Sequence, residues 1–335
     1  MAILTPVSEA QAQAFLSDYE GMGTLRAVAG IPLGTVNSSF AVDVQGAGRG
    51  ASERWFLRIY EEQDRAGALA EADLLAQLAE RGVATPAPRR RRDGGLVGEL
   101  SGKPAALFPW RDGQMRCLAG VSERDAERVG RALAAIHLAG RGVALRAGRF
   151  RPEDLRVRLE RIARCPEPSL AALAAPLRAK LDEIVAGRDA SLPRGLVHGD
   201  LFRDNVLWQQ QGVDPEIAAL LDFESACEGT FAFDLMVTVL AWCFRESLQA
   251  QLARSMVAGY RAVRPLTDGE VHGLCAEGRL AALRFTVTRI TDDAMRSIEL
   301  GIAPRRDKDW RRFAARGVEL EALGSRGLAQ LVGLG

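Results

Sequence analysis

The run His198-Gly-Asp-Leu-Phe-Arg-Asp-Asn205 sets an imidazole, a carboxylate and a carboxamide at fixed intervals, in the pattern H-x-D-x-x-x-x-N. A further carboxylate, Asp222, follows in Leu221-Asp-Phe-Glu224. These residue types at this spacing suit phosphoryl transfer from a nucleotide. Asp200 is the candidate base, orienting an attacking hydroxyl and taking its proton late. Asn205 and Asp222 bring the hard oxygen ligands that would hold Mg²⁺ on the phosphates. The chain has only two Asn (37 and 205) and three His (137, 198 and 272), so a chance match would consume scarce residues. The competing reading is a polar turn between the apolar runs 195–197 and 206–208, but strand–loop–strand is the setting this motif requires. His198 fits a structural role, bonding the backbone around the metal carboxylate. Asp234, at the start of the next helix, has two compatible readings, capping that helix or bracing the loop.

A nucleotide also needs a cradle. Gly30-Ile-Pro-Leu-Gly34-Thr-Val-Asn37-Ser38-Ser39 lies between two predicted strands, where a phosphate-covering loop belongs, and offers Gly34, Asn37 and Ser38. As a lone motif it is weak, and position gives it value. The third predicted strand carries Arg58, expected on the α- and β-phosphates with Glu71 of the following helix as partner. The alternative is a surface Arg beside an exposed Glu. The apolar strand 105–110 should receive the adenine on the Pro109 carbonyl and the Arg111 N–H, since Pro has no N–H to give.

Elements able to position these groups follow from the patterning. Ser8-Glu-Ala-Gln11 is a capping box opening a helix through Tyr19. A hairpin runs over 24–30, through Gly34, into 39–44, and a third strand covers 54–60. Leu69, Leu74, Leu75 and Leu78 mark a helix over 66–81 that ends at Gly82. A strand–turn–strand follows, with Arg89–Arg92 and Asp93-Gly-Gly95 at its tip and 96–100 returning. Helices are predicted over 123–139, 152–163 and 168–187, a hairpin over 195–223, and helices over 231–245, 247–262, 268–295 and 307–322. The expected class is α+β and two-lobed: a small β-rich lobe over 1–104, a hinge over 105–113 and a larger α-helical lobe over 114–335.

At 335 residues, with 47% hydrophobic and 26% charged, the chain can bury a core in each lobe. A net charge of +1 gives no global field toward nucleic acid or anionic membrane. The run Arg89–Arg92, at a predicted hairpin tip without interleaved aromatics, reads as a solvated turn. Five scattered Cys without C-x-x-C spacing suggest reduced thiols in a cytoplasmic enzyme. No signal-peptide pattern opens the chain, and no run of about 18 apolar residues suggests a membrane span. A small-molecule acceptor is expected, with neither nucleic acid nor membrane as partner.

Taken with Leu221-Asp-Phe-Glu-Ser-Ala-Cys227, Phe233-Asp-Leu, Ala241-Trp-Cys-Phe244, Gly259-Tyr-Arg-Ala-Val-Arg-Pro265 and 282–290, the motif resembles the aminoglycoside phosphotransferase and choline kinase-like enzymes. These have a protein-kinase-like fold, and within them the chain most resembles the homoserine kinases, over about residues 5–315. The catalytic loop is common to the superfamily; Ala241-Trp-Cys-Phe244 and the 282–290 segment narrow the acceptor. The resemblance implies ATP- and Mg²⁺-dependent phosphorylation of the homoserine side-chain hydroxyl, a step toward threonine. Where such enzymes tend to show an aromatic, an acid and an aromatic, this chain reads Thr291-Asp-Asp293. Homoserine is a zwitterion, and Arg289 and Asp292, three apart on the predicted helix, could meet its carboxylate and ammonium. An exposed ion pair is the plainer reading of those two. Arg284, roughly 140° around the helix from Arg289, is the weaker candidate. The alternatives are a choline, ethanolamine or aminoglycoside kinase of the same fold, or a non-catalytic pseudokinase. Few aromatics (6%) argue against a choline cage, and intact Asp200, Asn205 and Asp222 argue against a pseudokinase.

Overall fold

The computed structural model describes residues 3–32, 36–46, 52–148, 150–209 and 216–335. The chain divides into two compact units, Met1–Gln114 with Leu207–Glu224, and Met115–Val206 with Ser225–Gly335. No helix among the described residues is long and apolar enough to cross a membrane.

The first unit begins with α1 (Glu9–Ser17), whose Ser8 and Gln11 form the expected capping box. Strands β1 (Thr24–Gly30), β2 (Ser38–Gln45) and β3 (Ser52–Ile59), then helix α2 (Arg65–Glu80), β4 (Gly98–Leu100) and β5 (Lys103–Pro109) follow. The five strands make one antiparallel sheet in the order β1-β2-β3-β5-β4. Alternation sends Phe40, Val42, Val44, Leu57, Ile59 and Leu107 into one core with Phe15 and Leu16 of α1. Each such side chain contributes about 1.5–3 kcal/mol when fully buried. The same alternation turns Arg58 to the opposite face, where α2 brings Glu71.

The predicted strand before Asp93 does not form, because Pro86 and Pro88 cannot donate to a ladder. Nor is the four-Arg run merely solvated. Arg89 and Arg92 donate to the carbonyls of Glu20 and Ser17, and Arg91 bridges Asp18 (2.9 Å) and Asp93 (2.7 Å). These cations tie down the C-terminal end of α1, where carbonyls lack helical partners.

Chain order continues with α3 (Glu123–Ala139), α4 (Pro152–Ala163), α5 (Pro168–Ala171), α6 (Ala174–Ala186) and β6 (Arg194–Val197). Strands β7 (Val206–Trp208) and β8 (Ile217–Leu220) pair with each other and from Leu207 on belong to the first unit, and β9 (Cys227–Thr230) pairs with β6 in the second. The expected single hairpin over 195–223 is therefore two separate ladders. Cys-Glu-Gly-Thr has no apolar alternation, which hid β9. Helices α7 (Phe231–Trp242), α8 (Ala250–Val263) and α9 (Asp268–Arg289) come next. A π-helical turn over Ile290–Ala294, α10 (Met295–Glu299) and α11 (Arg311–Leu331) complete the unit. Where one helix was predicted over 168–187 there are two, and α11 extends past 322 across a break at Gly324 (φ +62°). Helix α7 is buried along nearly its whole length. Helices α3 and α8 touch backbone to backbone: a Cβ on Gly130 would lie 2.0 Å from the Met256 carbonyl, and one on Gly259 2.1 Å from that of Glu127. Small residues there are a packing requirement.

Candidate active site

In the second unit the segment from His198 to Asn205 leaves β6 through Gly199, whose φ of +74° suits glycine. Buried Asp234, at the start of α7, accepts the backbone N–H of His198 (2.6 Å) on one carboxylate oxygen and that of Gly199 (2.7 Å) on the other. Arg284 Nη1 donates to the Gly199 carbonyl at 2.5 Å, and Trp242 Nε1 to that of Leu201 at 2.9 Å. Arg203 reaches back to the Ala241 carbonyl. Asn205 Nδ2 donates to the Asp200 carbonyl (2.8 Å), and the Asp200 N–H donates to His198 Nδ1 (3.3 Å). Side chains from α7 and α9 thus hold the backbone on both sides of the half-buried Asp200.

Behind Asp234 lies a buried polar chain. His137 Nε2 is 3.0 Å from Asp234 Oδ2, and its Nδ1 is 2.7 Å from the Tyr260 hydroxyl. That hydroxyl accepts from Arg264 (3.1 Å), which also pairs with Glu270 (2.8 Å). Burial pushes the His137 pKa down and outweighs the upward pull of Asp234. Burial raises that of Asp234, but the hydrogen bonds it accepts, from His137 and from the Gly199 N–H among others, bring it below the usual carboxylate range. An anionic Asp234 and a neutral His137 satisfy every member, with Nε2–H donating to Asp234 and Tyr260 donating to Nδ1.

In the first unit Arg58 Nη1 meets Glu71 at 2.9 Å and Glu224 at 3.9 Å, and its guanidinium lies over Phe56 (5.7 Å) and Phe108 (5.9 Å). Burial pulls its pKa down, while Glu71, Tyr60, Glu224 and Asp222 push it up for a net rise. Asn37 accepts the Glu61 N–H (3.1 Å) and donates to Glu224. Ser38 is a correction to the expected nucleotide set. It is fully buried, its Oγ accepting from Leu4 (2.9 Å) and Thr5 (3.0 Å) and bonding Glu61, because its place at the start of β2 turns it toward the N-terminal segment. Gly34 lies outside the described residues. Pro109 closes β5 opposite Trp55, and Arg111 is exposed just beyond. Asp222 has φ +62°, a rare backbone for a residue other than glycine and one that clusters at functional sites.

Arg289 and Asp292, expected on one helix face to meet the carboxylate and ammonium of the acceptor, take separate partners. The π-helical turn begins at Ile290 and shifts the register after Arg289, so Asp292 meets Arg158 (2.5 Å) instead. Arg289 donates to the Asp309 carbonyl (3.2 Å) and lies over Phe313. Sequence reasoning passed over His137, Glu224 and Arg316. The partners of His137 and Glu224 are distant in the chain, Arg316 has no acid partner to find among the described residues, and scarcity among three His was the one signal available for His137.

No cluster of three or more His, Cys, Asp or Glu suited to a metal occurs among the described residues. Asn205 and Asp222 each carry a hard oxygen of the kind Mg²⁺ takes. With Nδ2 on the Asp200 carbonyl, the Asn205 Oδ1 is the atom left to face a cation.

Residues 28–266 match the model of the phosphotransferase enzyme family. A homoserine kinase of Rhizobium johnstonii is 34% identical over 303 residues, covering 87% of this chain and 88% of the relative. One of Methylocella silvestris is 35% identical over 296 residues, with the same coverage. Among solved structures, an amicoumacin kinase in complex with AMP-PNP, Ca²⁺ and Ami superposes with a TM-score of 0.69 at 15% identity, over 95% of this chain and 96% of that one. A choline kinase from Cryptosporidium parvum Iowa II gives 0.64 at 13%, over 92% of each. Such identities speak for the fold, which is the protein-kinase-like fold of aminoglycoside and choline kinases. The molecule is an ATP-dependent kinase. It belongs to the phosphotransferase enzyme family, and its relatives at 34–35% identity are homoserine kinases.

Proposed function

We propose that the chain transfers the γ-phosphoryl group of ATP to the side-chain hydroxyl of L-homoserine with Mg²⁺, as a step toward threonine in the cytoplasm. The observation that carries the acceptor is the 34–35% identity to homoserine kinases across 87% of the chain. The braced loop supports the transfer. Asp200 orients the hydroxyl and takes its proton, and the loop contacts from Asp234, Arg284 and Asn205 keep its backbone from shifting as it does so. Asn205 and Asp222 hold the metal, which neutralises charge on the phosphates when bound. Arg58, kept in place by Glu71, contacts the α- and β-phosphates, joined by Asn37 and by Gly34, which lies outside the described residues. The Pro109 carbonyl and Arg111 N–H receive the adenine. His198 and Asp234 position the loop and touch neither substrate.

The test is coupled ADP release over a panel of L-homoserine, L-serine, choline, ethanolamine and an aminoglycoside. Homoserine should give the highest kcat/KM, with all turnover lost in EDTA and restored by Mg²⁺. Faster turnover of choline, ethanolamine or the aminoglycoside would overturn the reading.

A further inference from the structure

Half-buried Arg58 and Arg188 and buried Arg264 each have a carboxylate against them: Glu71 at 2.9 Å, Glu277 at 2.6 Å and Glu270 at 2.8 Å. Arg316 on α11 does not. It is 5% exposed, forms no ion pair among the described residues, and its Nε has no hydrogen-bond partner. Its guanidinium lies 4.1 Å from the Phe313 ring centre and 5.0 Å from that of Phe244. Arg289 lies against the same Phe313 ring at 4.5 Å, and its charge is among those that act on Arg316. Burial and the charges of Arg289, Arg312 and Arg203 pull the Arg316 pKa down to about 9. Burial and Arg312 pull that of Arg289 to about 10, against the opposing charges of Asp200, Asp307 and Asp204. An unpaired buried cation is strongly unfavourable, and burial alone gives no reason to keep one. The cluster is tied to the loop that carries Asp200: Phe202 packs on Phe285 (4.9 Å) and Phe313 (5.9 Å), and Arg203 is the next residue.

We infer that Arg316 and Arg289, with charge from Arg203 and Arg312, form an anion site that takes the carboxylate of the acceptor and so selects hydroxy amino acids over amino alcohols. The identity of the acceptor rests on the homoserine reading above; the anion site rests on the arginines. A carboxylate would supply the counter-charge the fold withholds, with Arg316 donating in the bidentate geometry that guanidinium favours. It would also leave the hydroxyl end of the molecule to Asp200, whose charge Arg289 already feels.

The experiment compares L-homoserine with 3-aminopropan-1-ol, the same molecule without its carboxylate, in the wild type and in Arg316→Met. The substitution should lower kcat/KM for homoserine about 100-fold, mainly through KM, since a charge-assisted hydrogen-bonded pair is lost. Turnover of 3-aminopropan-1-ol and the KM for ATP should stay within about threefold, because no carboxylate is involved. Equal losses on both acceptors would mark Arg316 as merely structural, and an unchanged KM for homoserine would place the carboxylate elsewhere; either overturns the inference and leaves the homoserine reading standing. Should Arg316→Met fail to fold, calorimetry on the wild type decides. L-2-Aminobutyrate, which keeps the carboxylate and lacks the hydroxyl, should bind, and propan-1-amine should bind at least tenfold more weakly. Equal binding of the two overturns the anion site. A wild type that ignores homoserine yet discriminates these two ligands refutes only the acceptor's identity.

Discussion

Half-buried Arg58 and buried Arg316, one in each unit, are cations held in opposite ways. Arg58 sits on a strand with Glu71 at 2.9 Å and two aromatic rings beside it, its charge already compensated. Arg316 has aromatic rings beside it and other guanidinium groups around it, and no acid against it. A compensated cation is pre-set in position and gains little from one more anion, which suits a contact that orients a large, multiply charged nucleotide. An uncompensated one gains much from a single small anion, which suits selection among small acceptors. The contrast puts orientation on the Arg58 side and selection on the Arg316 side.

Chemistry common to both sides should suffer most when removed. Asp222→Ala should abolish Mg²⁺-dependent turnover, and near-normal phosphoryl transfer in that variant would remove the metal assignment. Asp200→Asn should lower kcat by roughly 10²–10⁴-fold with little change in nucleotide affinity, the range a positioned base supplies. Initial-rate kinetics and nucleotide titration check both.

Next in size is the contrast itself. Arg58→Ala should raise the KM for ATP by about 10–100-fold, as expected for loss of a charge-assisted phosphate contact worth roughly 1.5–3 kcal/mol. The KM for homoserine should move little, the mirror image of Arg316→Met. An Arg58 variant that loses acceptor affinity instead would erase the distinction between the two arginines.

A smaller effect concerns pH. The folded-state pKa values of His137 and Asp234 both lie below their ordinary values, so the unfolded chain takes up protons more readily than the folded one. The stability they contribute is complete above the unfolded His pKa of about 6.5 and falls away as the pH drops through it, with Asp234 adding to the loss below about 3.9. Urea midpoints should therefore fall between pH 7 and 5.5, and fall less in His137→Gln, which keeps a donor for Asp234. A midpoint flat over that range in the wild type would contradict the neutral assignment of His137.

What could be read from the sequence depended on the range of the interactions. Asp200, Asn205 and Asp222 fall within 25 residues at a spacing the chemistry dictates, so the motif was visible without a fold. The Arg58–Glu71 pair was legible because a strand and the next helix place them 13 residues apart. His137 and Asp234 are separated by 97 residues, and nothing local signals their contact. Nothing local in the sequence singles out Arg316; its lack of an acid partner among the described residues is a property of packing. The π-helical turn that follows Arg289 leaves no mark in helical periodicity, which is how Arg289 and Asp292 came to be expected on one face. Ser38 read as a loop hydroxyl because its partners, Leu4 and Thr5, lie 34 and 33 residues away.

The most direct test is the fate of the γ-phosphate in a single turnover. Enzyme in excess over γ-labelled ATP, with Mg²⁺ and saturating L-homoserine, should place the label on the side-chain oxygen of homoserine, one phosphate ester for each ADP formed. Label released as inorganic phosphate, or transferred only when choline, ethanolamine or an aminoglycoside replaces homoserine, would contradict the account.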